Sequence, residues 1–170
     1  VDRADFEIER GRVQIFGSRG QKGAVVDRWM RPRDGFSKLD EFLEHRRLVV
    51  QARCRSRGEC DVRYDLGLSR TARTQVELEE GELRLVKIVG PITANVKKGR
   101  VVGETLSSSE VDVEVEDGRV QLKFVEAPET LRIRMERGEA TIFVPDRSFR
   151  CEFDREAPQF NLDKLRCHPT

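Results

Sequence analysis

The residues best suited to covalent or metal chemistry are four cysteines: Cys54 and Cys60 in a C-x5-C arrangement, and Cys151 and Cys167 near the C-terminus. Zinc fingers space their paired thiols two to four residues apart, and neither pair complies, so no metal is expected. Four thiols grouped two by two point instead to disulfides, and so to an oxidising compartment such as the periplasm or the cell exterior. Four cysteines allow three pairings. Local bridges, 54 with 60 and 151 with 167, are expected because each closes a short segment.

Nucleophilic catalysis finds little support. The two histidines, His45 and His168, sit at the end of a short predicted helix and three residues from the C-terminus, where a solvated role fits better than a catalytic one. No G-x-S-x-G elbow is present, and the glycines are spread along the chain rather than gathered in a phosphate-binding loop. No cofactor and no enzymatic activity are therefore expected. Carboxylates are too numerous, at 31, for a glycosidase pair to be singled out by spacing. A polysaccharide-cleaving β-helix, which hides its acids among such residues, remains the enzymatic alternative.

Two clusters could bind. "EVDVEVED" places Glu110, Asp112, Glu114 and Glu116 in a row on one strand face. An open row converges poorly on a cation, so a solvated face is expected. "DRWMRPRDGF" gathers Arg28, Trp29, Arg31 and Arg33, a set able to stack on a sugar or to pair with an anionic polymer. Structural packing of the sole Trp is the competing role.

The elements that would position these residues come from a repeat. Aligned on Gly11, Gly81, Gly99, Gly118 and Gly138, the chain reads FEIERGRVQI, VELEEGELRL, ANVKKGRVVG, VEVEDGRVQL and IRMERGEATI, the last four glycines lying 18, 19 and 20 residues apart. Positions −5, −3, +2 and +4 from each glycine are apolar or small, and −2, −1 and +1 are always charged. Period-two alternation predicts strands with one face buried. The glycine marks a hairpin turn or the corner of a solenoid coil, and either reading needs neighbouring units to cover the apolar face. The predicted fold is all-β, a short β-solenoid or stacked hairpin repeat with one short inserted helix. That helix is expected near 37–47, where Ser37 could cap and Leu39, Phe42 and Leu43 recur at helical spacing. It is followed by two strands that turn Cys54 and Cys60 to the same side.

The 170 residues fit a single domain, with an N-terminal β segment over 1–75, the repeat region over 76–146 and a disulfide-tethered tail over 147–170. Net charge is +1, and the two halves differ mildly, with 17 basic and 12 acidic residues in 1–75 against 15 and 19 in 76–170. That falls short of the dense basic face of a nucleic-acid binder. Arginine outnumbers lysine 25 to 7, which reads first as a genomic bias. No apolar run reaches the roughly 18 residues of a membrane span. The chain starts at Val1 with neither Met nor leader, so a trimmed or processed domain is expected, its anchor or signal lying elsewhere.

The repeat, with "FEIERGRVQIFG" near the start, "LVVQARC…CDVRYDLGLS" before the units and "VP" after them, resembles an adhesin family of bacterial envelope proteins, a domain without assigned function that repeats V-x-V-x-x-x-x-G-x-V-x-V units. The resemblance covers residues 5 to 146. It implies an exported, often membrane-anchored protein with a scaffold or binding role and no catalytic residues to carry over. The heavily charged corners, the insertion at 37–47 and the cysteine-bearing tail depart from the family pattern. The expected partners are a cell-envelope polysaccharide or another envelope protein, with oligomers formed through sheet edges. Envelope-stress sensing is a further alternative.

Overall fold

Strand follows strand along the chain: β1 (Arg3–Ser18), β2 (Val25–Arg31), β3 (Phe36–Glu44), β4 (Arg47–Cys54), β5 (Asp61–Ser69), β6 (Arg73–Val86), β7 (Ile92–Leu106), β8 (Glu110–Phe124), β9 (Thr130–Phe143), β10 (Ser148–Arg150), β11 (Phe160–Asp163) and β12 (Arg166–His168). These come from a computed structural model that describes residues 1–32, 34–56 and 59–145 in full, and the backbone of the last three strands.

The long strands β1, β6, β7, β8 and β9 stack parallel, each in register with the next, so that Gly11, Gly81, Gly99, Gly118 and Gly138 form one column. Each strand runs through its glycine and bends there. The first arm of one coil pairs with the first arm of the next, and the second arm with the second. The glycines are thus solenoid corners, and the hairpin alternative is excluded.

Two constraints make the corner residue glycine. At Gly81 φ is +146°, a region that disfavours any Cβ. A Cβ built there would also lie 1.7 Å from the carbonyl oxygen of Gly11 in the coil beneath. The alternating valines, leucines and isoleucines flanking the column point inward and are almost fully buried in β1, β6, β7 and β8. In the last coil Leu131, Ile133 and Met135 are only partly buried, while the second arm of β9 is covered by β11.

The stretch between the first and second glycine is not an excursion. The first arm of β1 pairs with β4 and its second arm with β5, both parallel, so these two strands together make a further coil stacked on the free side of β1. Where the other coils turn on glycine, this one turns on a loop closed by the Cys54–Cys60 disulfide. Val50, Ala52, Tyr64 and Leu66 supply its inward side chains. The expected local bridge at 54 and 60 is thus present. The one expected between Cys151 and Cys167 lies outside the described residues.

The helix expected near 37–47 is absent. Residues 36–44 form β3, antiparallel to β4, and β2 lies antiparallel on β5, giving the stack a reversed terminal layer. Two helical turns are marginal on their own, whereas the free edge of β4 offers a ladder of backbone partners. Ser37 donates its Oγ proton toward the carbonyls of Cys54 (2.9 Å) and Arg53 (3.3 Å) instead of capping a helix. Ten strands join in one sheet, and β10 pairs separately with β12.

Gly81→Ala is expected to destabilise the protein by about 3 kcal/mol or more, because backbone below and strained φ both oppose the methyl group. Gly23→Ala, where no atom lies within 4 Å of the added Cβ, should change stability by less than about 0.5 kcal/mol. Urea midpoints of the two variants measure the contrast.

Candidate functional site

Parallel, in-register stacking turns each sequence position into a stripe along the outside of the stack. The stripe just before the glycines reads Arg10, Glu80, Lys98, Asp117, Arg137, alternating in sign from coil to coil. Arg10 and Arg137 approach their carboxylate neighbours Glu80 and Asp117 at 3.8 and 3.5 Å. On the first arm, Lys97 meets Glu79 at 3.1 Å, and Arg53 donates to Glu7, holding that carboxyl below the usual carboxylate range. The row at 110–116 follows the same rule: Arg134 of the next coil donates to Glu114 (2.8 Å) and Arg132 to Asp112 (3.2 Å). These exposed pairs each contribute little energy, but opposite charges across a ladder favour one register over its neighbours.

The reversed layer breaks this pattern. Alternation along β2 sends Arg28 and Trp29 to opposite faces. Arg28 Nη1 donates to Glu41 Oε1 at 2.6 Å, and the hydroxyl of the fully buried Tyr64 donates to the same oxygen at 2.5 Å. Since Arg28 belongs to β2 and Glu41 to β3, the bond ties the two arms together over the end of the apolar core. Burial, and then the hydrogen bond to Glu41, push the Tyr64 phenol well above its ordinary value.

Trp29 faces outward and is half exposed. It lies directly across from Arg63, and two residues along, Asp27 lies directly across from Asp65. Direct partners share a face, so these four side chains form the corners of a small quadrilateral, about 5 Å across the strands and about 6.5 Å along them. Arg63 Nε donates to Asp65 Oδ2 at 2.9 Å, whereas Asp65 Oδ1 is buried with no hydrogen-bond partner. Two carboxylates directly opposite one another cost stability.

The quadrilateral is one wall of an open groove of about 890 Å³, whose floor is the backbone of Gly11, Gly81 and Gly99. Arg12, Glu82 and Arg100 line it further along the stack. Arg31 is exposed at the end of β2, and Arg33 lies outside the described residues. Of the four residues expected to bind, Trp29 reaches the groove with its side chain free to meet a ligand, while the guanidinium of Arg28 is committed to Glu41. Asp27, Arg63 and Asp65 were not foreseen. The alternation of "CDVRYDL" indicated their outward face, but only the β2–β5 register brings them beside Trp29.

Among the described residues no three His, Cys, Asp or Glu side chains converge as a cation site, and no helix is long and apolar enough to cross a membrane. Comparison with protein-family models, curated proteins and solved structures finds no match to this chain.

Tyr64 is the sole tyrosine, so phenolate absorbance reports on it alone. Its folded-state pKa lies above the ordinary 10.0, and its contribution to stability is therefore complete below about pH 10 and lost as pH rises further, where the unfolded chain gains a phenolate that the native one refuses. Alkaline titration is expected to show no phenolate until the protein unfolds. Phenolate signal near pH 10 with native circular dichroism would contradict the buried phenol.

Proposed function

We propose that this chain is a non-catalytic, exported envelope module that presents a rigid β surface for adhesion or scaffolding. The observation that carries the reading is the in-register stack itself, in which the hydrogen-bonded ladder, the core and the charge stripes all fix a surface rather than a moving active site. The disulfide at the corner of the β4–β5 coil supports an oxidising location. The resemblance of the glycine-centred units to envelope adhesin domains adds the partner class, a cell-envelope polysaccharide or another envelope protein.

A second reading, cleavage of a polysaccharide, is favoured by one observation: Asp27 and Asp65 face each other in the groove, as the paired carboxylates of glycosidases do. Release of reducing ends from polymeric glycans, abolished in Asp65→Asn, would establish it in place of the binding role.

Non-reducing peptide mapping of the protein recovered from fractionated producing cells tests the main reading. The expected result is a cross-linked Cys54–Cys60 peptide in the extracytoplasmic fraction, and free thiols in a cytoplasmic fraction would overturn it. Reduction of this short loop is expected to cost about 2 kcal/mol of stability, read from urea unfolding with and without reductant.

A further inference from the structure

We propose that Trp29, Asp27, Arg63 and Asp65 form a subsite for one pyranose ring of a neutral glycan, the indole lying under the ring's apolar face and the charged groups taking its hydroxyls. This deepens the binding-module reading and rests on it.

Three observations converge on the patch. First, the only Trp of the chain stands half exposed on an edge strand, facing the groove instead of filling the core. A large amphipathic ring left in water beside a concavity is the commonest anchor of a recognition surface. Second, Asp27 and Asp65 are held directly opposite each other, and Asp65 Oδ1 is buried without a donor. Oδ1 is closed to solvent and so to a ligand, but the facing charges are a cost that the free protein bears, and a ligand that brings hydrogen-bond donors to the accessible carboxylate oxygens relieves it. A sugar hydroxyl donates to one of these carboxylates and at the same time accepts from Nη1 of Arg63, whose Nε and Nη2 both face Asp65 Oδ2. Third, the spacing of the four side chains, about 5 by 6.5 Å, suits a single six-membered ring.

Charge narrows the class. The groove is lined by Arg12, Arg28, Arg63 and Arg100 against Asp27, Asp61, Asp65 and Glu82, four charges of each sign, so it offers no net attraction to a polyanion and suits a neutral ligand. The groove continues over the glycine floor across successive coils, about 4.8 Å each, so a linear polymer would run along the stack axis beyond the subsite. Without side chains, that floor lets the polymer approach the backbone.

Trp29 fluorescence reads the test directly, since no other indole contributes. Tetramers of glucose, mannose and N-acetylglucosamine are titrated into the full chain, with tetralysine as a basic comparison. The expected result is a saturable change with at least one neutral tetramer. In Asp27→Asn the affinity should fall about tenfold, while the melting temperature of the free protein stays level or rises because the facing charges are gone. A merely structural aspartate would move stability and leave binding alone. Saturable binding unaffected by Asp27→Asn overturns the subsite, as does a response to none of the neutral tetramers. A response to tetralysine alone makes the patch a site for basic peptides and also overturns it. None of these outcomes bears on the peptide mapping above, so failure of the sugar subsite and failure of the exported-module reading are told apart.

Discussion

The approach of backbone to backbone at the glycine corners is the constraint that organises the molecule. At each corner the carbonyl oxygen of one glycine occupies the place where a side chain of the next coil's corner residue would stand, at 1.7 to 1.9 Å from an ideal Cβ. Only glycine permits backbone to rest on backbone there. Once the corners coincide, the parity of every strand is set, because a slip of one residue would lift a glycine off its carbonyl and turn every valine outward. Core, charge stripes and groove floor are all consequences of that column. The charged residues immediately before the glycines then refine what sterics establish, alternating in sign between coils so that along that stripe the native register also pairs opposite charges.

The end of such a stack poses a different problem, since the last coil has nothing to lean on. At the β1 side, the chain answers by inserting the stretch between the first and second glycine, which supplies an extra coil, β4–β5, and then a reversed layer, β2–β3. The extra coil turns on a disulfide-closed loop, and a covalent bridge there takes the part that stacked glycines play elsewhere. The reversed layer ends the apolar column with Arg28, Glu41 and Tyr64. Arginine and glutamate keep contact with water on one side while the tyrosine ring stays in the core and 6.5 Å from Phe6 on the other. Polar closure of this kind leaves β2 and β3 as edges, and most of the exposed large apolar side chains, Val25, Val26, Trp29, Phe42 and Leu43, lie on them.

Much of this was legible in the sequence, and the boundary between what was and was not follows the range of the interactions. The glycine spacing, the apolar parity and the charged flanks are local, and they identified an all-β repeat and its corners. The Cys54–Cys60 bridge was legible because both strands around it alternate and turn their thiols to one side. Residues 37–44 misled because Leu39, Phe42 and Leu43 satisfy helical spacing by chance, while Phe42 and Leu43 in fact stand exposed on an edge strand. The choice between hairpin and coil could not be made from parity, which both satisfy. It required knowing that Gly81 lies over Gly11, seventy residues away. The pairing of Asp27 with Asp65 depends on an antiparallel register between strands thirty residues apart, and no periodicity within either strand announces it.

That boundary explains why the fold is easier to read than the function. Inward positions of a parallel stack are constrained by every neighbour, so their residue types repeat and the repeat is visible. Outward positions are constrained only by the charge of the coil above and below, and many combinations satisfy that. A stripe that departs from charge matching is therefore where selection for something other than stacking can be sought. The stripe immediately before the glycines alternates in sign throughout, whereas Glu7 and Glu77, Arg100 and Arg119, and Asp27 and Asp65 meet as like pairs. The pair on β2 and β5 differs from the others in standing beside an exposed indole. Within the stack, Arg53 donates to Glu7 and Arg100 to Gln121, so neighbouring coils ease the like pairs there; two facing carboxylates on an edge layer carry a cost that a pair of small polar residues would not.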